Sequence, residues 1–594
     1  MTYGAIAGPA GTIFRVRAPE AQSVTLCLFE RDHEVRREMR REGTDWVAEA
    51  PAPPGTLYGY RAAGSFDPAQ GRWFDASKLL VDPYATELDR RFAYTPSLHA
   101  FGTDTGPMVP KAIVPGDLPV VEPAPPVFTH GGLIYEANVR ALTMLHPDVP
   151  EELRGTVAAL AHPAIIAHLT RLHVSAIELM PIVAWIDERH LPPLGLCNAW
   201  GYNPVVPMAL DPGLCPGGVA ELRETVAALH AAGIGVVLDL VFNHTGESDV
   251  LGPTLSFRGL DNQGVYAHDR EGRLINDTGC GNTLNFGEPY VRELARATLR
   301  HFVRHCGIDG FRFDLAPVMA RSPGFQADAP IFAEIAADPI LADRVLIAEP
   351  WDPGPGGYQL GAFPENWLEW NDRFRDDVRR FWRGDGTVGT LATRLAGSSD
   401  LFGPHSRSVN FIAAHDGMTL ADTVAYAGRH NWANGEENRD GQGDNASWNN
   451  GVEGPSDDPN VVAHRAADAR ALLGTLFAST GSIMLTAGDE FGRTQLGNNN
   501  AYCQDNHLTW LDWGTRDRLL EDHVAALAQW RAARAGWFAT FPRQGDWLSP
   551  SGQPMTIAEW EDPATSGLTY RSLDSDRPYS IDIDRIGRRV GTSA

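Results

Sequence analysis

Short alternating runs open the chain. In GTIFRVRAPEAQSVTLCLFE (11–30) and LYGYRAAG (57–64), apolar and polar positions exchange every residue between Gly and Pro breaks. That period of two predicts a small antiparallel β domain over residues 1–113. VPGDLPVVEPAPPVFTHGG (114–132) interrupts it, and its proline density predicts a stiff linker. Beyond it the pattern changes to apolar strands alternating with amphipathic helices. Eight strands are predicted: 133–139, 175–183, 234–244, 310–316, 345–352, 367–372, 408–416 and 482–490. Helices are predicted between several of them, as in VAELRETVAALHAAG (219–233) and YVRELARATLRHFVRHC (290–306). Strand–helix alternation of this kind predicts an α/β fold, a (β/α)8 TIM barrel, over 133–537. Residues 538–594 keep few alternating runs and are expected to form an abbreviated, short C-terminal β domain.

The chemistry gathers where these strands end. In GFRFDLA (310–316), Phe311 and Phe313 point one way, and Arg312 and Asp314 the other. Other strand ends carry Asn243 and His244, Glu349, His415 and Asp416, and Asp489 and Glu490. A lone Arg-x-Asp pair is ordinarily a salt bridge. Polar groups at corresponding ends of several strands mark an active site, which barrels of this type keep at that face. Three convergent carboxylates suit glycoside hydrolysis. Arg312 would keep Asp314 ionised, as a nucleophile requires. Glu349 ends the apolar run VLIA, and partial burial would keep it protonated as a general acid. Asp416 would bond sugar hydroxyls, with His244 and His415 doing likewise as neutral imidazoles.

Composition narrows the partner. The net charge of −25 opposes nucleic acid and anionic membrane surfaces and leaves a neutral glucan unaffected. Six scattered cysteines without a C-x-x-C pair predict neither a disulfide framework nor a zinc site, and suit a reducing cytoplasm. The first residues lack a basic start followed by an apolar run, so no signal peptide is read there. The most apolar long window (471–488) has a Ser-Thr-Gly centre and reads as helix, turn and strand, not as a membrane span. The long connection 417–460 is rich in amides and acids, which would bond sugar hydroxyls. Within it NRDGQGDN (438–445) lacks the acidic alternation of a calcium loop, and no metal is assigned. Trp200, Trp351, Trp367 and Trp370 lie near strand ends and suit either sugar faces or the core. Cys280 has no evident base partner and is not read as a nucleophile.

DLVFNH (239–244), GFRFDLA (310–316), AEPW (348–351) and FIAAHD (411–416) resemble, in order, the four signature regions of the α-amylase superfamily, glycoside hydrolase family 13. The resemblance spans roughly residues 10–540. It implies Asp314 as nucleophile, Glu349 as acid/base and Asp416 as transition-state stabiliser, with retention of configuration. It further implies Asp239, His244, Arg312 and His415 as substrate-binding partners, and Tyr202 in AWGYNP as the ring that stacks on the sugar. YEANVRALTMLHPDVPEELRGT (135–156), NDTGCGNTLNF (276–286), AEPWDPGPGGYQLGAFP (348–364) and residues 430–458 resemble bacterial glycogen debranching enzymes of the isoamylase type. That resemblance implies an N-terminal β-sandwich of the carbohydrate-binding kind and no cofactor. It also implies hydrolysis of α-1,6 branch linkages in glycogen, limit dextrin or amylopectin. A trehalose-releasing hydrolase acting on maltooligosyl trehalose, a branching transferase and a non-catalytic glucan-binding protein are the rival readings. The last would have lost carboxylates that are all present here. Oligomeric state is not legible.

Overall fold

A computed structural model of the protein describes residues 3–8, 11–31, 33–321, 323–542 and 544–593. Its centre is a closed barrel of eight parallel strands. They are β1 (Leu133–Ala137), β2 (Val174–Leu179), β3 (Gly235–Val241), β4 (Gly310–Asp314), β5 (Val345–Ala348), β6 (Leu368–Asn371), β7 (Ser408–Phe411) and β8 (Ser482–Thr486). β8 pairs back onto β1, with Leu133 opposite Ile483, and closes the ring. Seven of the eight strands fall within the predicted spans, and β2 begins one residue earlier, at Val174.

Alternation sorts the barrel's side chains into two compartments. Phe311 and Phe313 point outward into the large core shared with the surrounding helices. Inward, Ile134, Ala176, Val237, Ile347, Val409 and Met484 form one apolar layer, with Phe128 from the linker packed against it. Two residues further along, toward the C-terminal ends, the inward positions become Glu136, Glu178, Asp239 and Arg312, all at most 2% exposed. The barrel thus has an apolar base and a charged layer beneath its mouth.

Helices cover the outside. The largest include Gly218–Ala231, Pro289–Cys306 and Pro459–Ala478. Pro289–Cys306 begins on a proline and ends on Gly307 in the left-handed region, the usual stop signal. The hairpin Val183–Trp185 with Pro204–Leu210 projects outside the barrel between β2 and β3, and was not predicted.

Before the barrel lie two four-stranded antiparallel sheets. Their inner faces share a core that includes Phe14, Val16, Leu26, Trp46, Tyr58 and Tyr60. The linker runs along the barrel wall: Val121 N–H donates to Arg304 O at 2.7 Å and Val127 N–H to Asp309 Oδ1 at 2.7 Å. After the barrel, Gly545–Leu548, Gly567–Ser572, Ser580–Asp584 and Arg589–Ser593 form a four-stranded antiparallel sheet. It docks on the helix Pro459–Ala478 at Gly474, where a Cβ would approach Val590 Cβ to 2.7 Å. Among the described residues no helix is long and apolar enough to cross a membrane.

Candidate active site

Arg312 is the centre of the mouth. It is fully buried on β4, and its Nη1 donates to Asp239 Oδ1 at 3.0 Å, Asp239 Oδ2 at 2.8 Å and Asp314 Oδ1 at 2.9 Å. Its Nη2 lies 3.0 Å from Glu349 Oε2. One guanidinium therefore gathers carboxylates from β3, β4 and the end of β5. The indole of Trp370, on β6, lies under its Cζ at 4.3 Å. Register makes this possible, because Asp239 sits directly beside Arg312 in the β3–β4 ladder.

Each carboxylate is held differently. Asp314 Oδ2 accepts from Asn243 Nδ2 at 2.7 Å, so both of its oxygens are fixed. Glu349 Oε2 accepts from the Leu315 N–H at 2.7 Å. That N–H is aimed by a backbone twist, since Leu315 sits at φ +40, a conformation that costs an L-residue energy. Burial pushes Glu349 up to about 8; the Arg312 charge opposes this, while Asp314 and Asp416 reinforce it. With Oε2 taken by Leu315 and Arg312, the proton of the neutral acid belongs on Oε1, which has no hydrogen bond among the described residues. Burial likewise lifts Asp239 to about 6 against the pull of Arg312. Asp416, half-buried in the segment after β7, makes no hydrogen bond among the described residues.

The two histidines differ. Burial lowers His244, whose Nδ1 faces Asn243 Oδ1, and it is the neutral imidazole expected. His415 departs from that expectation. Burial alone would lower it, but Glu136 lies 2.7 Å from its Nδ1 and raises it to about 9. Glu136 is itself fixed by Thr486 Oγ1 at 2.8 Å. His415 is thus an imidazolium, stacked on Tyr202 at 4.8 Å between ring centroids. The Tyr202 hydroxyl donates to Asp239 Oδ2. The turn that presents Tyr202 requires Gly201, at φ +86, where a Cβ would strike Pro181 O at 2.8 Å.

Tyr202, Asp239, His244, Arg312, Asp314, Glu349, His415 and Asp416 therefore surround one mouth. It opens into a cleft of about 810 Å³ whose walls include Trp200, Tyr202, Glu188, Cys280, Glu436 and Tyr502. Among the described residues no group of three or more His, Cys, Asp or Glu side chains is arranged to hold a metal ion.

Comparison with known proteins agrees with this architecture. Residues 2–85 match the family model of carbohydrate-binding module 48, the isoamylase N-terminal domain. The glycogen debranching enzyme of Yersinia enterocolitica serotype O:8 / biotype 1B is 46% identical over 591 residues, covering 94% of this chain and 88% of that protein. The chain belongs to the glycogen debranching enzyme family. The family member from Serratia proteamaculans is also 46% identical, over 93% of this chain and 87% of its own length. Among solved structures, the pullulanase of Anoxybacillus sp. LM18-11 complexed with maltotetraose has the same fold. Its TM-score is 0.72 at 23% identity, over 98% of this chain and 81% of that one. Pullulanase type I from Bacillus subtilis str. 168, complexed with maltose, gives 0.73 at 20% identity over 98% and 79%.

Not every strand-end group of this debranching enzyme family member joins the mouth. Glu490 is fully buried and accepts from Tyr135 OH, His168 Nε2 and Gly488 N–H, a structural network. Asp489 accepts from Leu420 N–H at 3.2 Å. Trp367 and Trp370 are at most 1% exposed and belong to the core. In the connection after β7, the amides bond one another instead of standing free. Asn431 Nδ2 donates to Asn499 Oδ1 at 2.8 Å, and Asn434 Nδ2 to Asp440 Oδ2 at 2.8 Å. Asn498 Nδ2 donates to Asn434 Oδ1 at 2.9 Å. Glu136 and Glu178 were not singled out from sequence. Their signal was a single acid inside each of the apolar runs LIYEA and AIELM.

Proposed function

We propose that this protein hydrolyses α-1,6 branch linkages of glycogen, limit dextrin or amylopectin by double displacement with retention. The observation that carries it is the single guanidinium of Arg312 holding Asp314 and Glu349 at one mouth with opposite tasks. Asp314, with both oxygens fixed, attacks the anomeric carbon. Glu349 Oε1 gives its proton to the departing oxygen of the main chain, and a glycosyl ester forms on Asp314. Glu349, now a carboxylate, takes a proton from water. The hydroxide equivalent attacks the same carbon and frees Asp314. Asp416 accepts hydrogen bonds from sugar hydroxyls, and Tyr202 presents its ring to the sugar. His415, His244 and Asp239 complete the polar lining. No cofactor enters, because the reaction is proton transfer and displacement.

Digestion of phosphorylase-trimmed glycogen tests the reading. The expected products are short linear maltooligosaccharides without a glucose ladder, with the α-anomer appearing first by proton NMR. Trehalose release from maltooligosyl trehalose, with branch points untouched, would overturn it. Asp314→Asn should lower kcat by about 10⁴-fold or more while retaining glucan binding. Undiminished turnover in that variant removes Asp314 from the role. We assign the activity to the cytoplasm, where six unpaired cysteines remain reduced; cell fractionation checks this.

A further inference from the structure

The loop after β7 carries an indole outside the cleft that the reaction does not use. Trp432 is 66% exposed, yet it stands between two anchored asparagines. Asn431 and Asn434 on either side of it are fully buried. Asn431 N–H donates to Asn438 Oδ1 at 2.6 Å, and Asn434 Nδ2 to Asn500 O at 2.8 Å. Ala433 O accepts from Gln504 Nε2 at 3.0 Å. The backbone on both sides of Trp432 is therefore tied down, and the ring is presented outward. Leu194, 52% exposed, packs on the same turn, since a Cβ at Gly435 would meet Leu194 Cδ1 at 2.8 Å.

The position of this loop identifies the occupant. Its Glu436 and Asp440 line the cleft that holds Tyr202, together with Asn500 and Tyr502. Trp432 and Leu194 belong to segments that build one cleft wall and are not themselves among the residues lining the cleft. A single indole beside one leucine is far smaller than the roughly 1,000 Å² that a specific protein interface buries. It matches the apolar face of one hexose, with the exposed acid Glu437 on the same loop to meet hydroxyls. The charge of −25 disfavours an anionic polymer.

We infer that Trp432, backed by Leu194, is a binding platform for an α-glucan chain of the branched polymer lying outside the catalytic cleft. The inference rests on the proposed glucan substrate and adds a site beyond the reacting branch. Because the loop is fixed before binding, the platform acts without an ordering cost.

The test separates binding from turnover. In the inactive Asp314→Asn background, mobility is measured in gels cast with glycogen. Adding Trp432→Ala should weaken the retardation, raising the apparent Kd about 5- to 10-fold, while Trp432→Phe recovers most of it. In the active protein, Trp432→Ala should raise KM for limit dextrin by a similar factor. A short branched maltooligosaccharide that ends within the cleft should not register that increase. Equal retardation of the Trp432→Ala and parent proteins overturns the platform and leaves the proposed reaction standing. Equal losses on polymer and short substrate also overturn it, since they would mean a disturbed cleft. A parent that glycogen does not retard at all sinks both readings.

Discussion

The charged layer at the barrel mouth and the asparagine-laced loop above it are both built from buried polar side chains. They solve the same problem in opposite ways. At the mouth, Arg312 and His415 face a larger number of carboxyls: Glu136, Glu178, Asp239, Asp314, Glu349 and Asp416. Low dielectric makes each uncompensated charge expensive, so Glu178, Asp239 and Glu349 hold their protons more tightly. Glu349 rises to about 8 and Asp239 to about 6, burial being the main cause in both. Glu178, whose two oxygens find no partner among the described residues, is pushed well above the carboxylate range by burial. In the loop, Asn431 and Asn434 bond Asn499 and Asn498 from the segment after β8, amide to amide, and Asn434 also donates to Asp440. The first arrangement sets charge and the second sets shape. Catalysis needs groups poised between two protonation states, whereas a cleft wall needs groups indifferent to pH.

Substitutions can break or sharpen that contrast. The largest effect is expected at Arg312, because Arg312→Ala leaves the carboxyl groups of Asp239, Asp314 and Glu349 without their shared cation. We expect a stability loss of about 3–5 kcal/mol by chemical denaturation and loss of turnover. Glu349→Gln comes next. It should lower kcat by about 10²- to 10⁴-fold, and it identifies the group behind the wild-type decline in kcat/KM above pH 8. The folded pKa of Glu349 is raised, so its contribution to stability is full below pH 4.5 and is lost as pH climbs through about 8. Glu349→Gln should therefore become the more stable protein, relative to wild type, as pH rises across that window.

Glu136→Gln should cost on the order of 2–3 kcal/mol at its widest. His415 is raised and Glu136 lowered, so the gap to wild type should peak between pH 4.5 and 6.5 and close as pH rises through about 9. The neutral network should show no such window. Asn434→Ala should cost about 1–3 kcal/mol, equally at pH 6 and pH 8. A pH-dependent loss there would erase the distinction between the two networks.

The sequence made the barrel legible because apolar runs and helix periods repeat, and because the site residues fall at the ends of those runs. Asp314 and Arg312 were readable from alternation alone. The charge on His415 was not, since it depends on Glu136, distant in sequence and opposite only once the barrel closes. The partners of the amides in the 417–460 connection are illegible for a related reason. Nothing local in Asn431 or Asn434 tells whether an amide turns toward solvent or toward another amide. The C-terminal sheet is only faintly legible, although SIDID does alternate, with Ile581 and Ile583 buried and the aspartates turned away.

The neutral loop has a further property that concerns ageing rather than folding. Asparagine is among the thermolabile residues, and losing the amide of its side chain turns a donor into an acceptor. At Asn434 the new carboxylate would face Asp440 Oδ2, now 2.8 Å from the amide nitrogen. Attraction would become repulsion at a single atom, and the wall that presents Trp432 would loosen. Prolonged warming should therefore erode the grip on large glucans, with intact mass recording each lost ammonia, before the barrel chemistry declines.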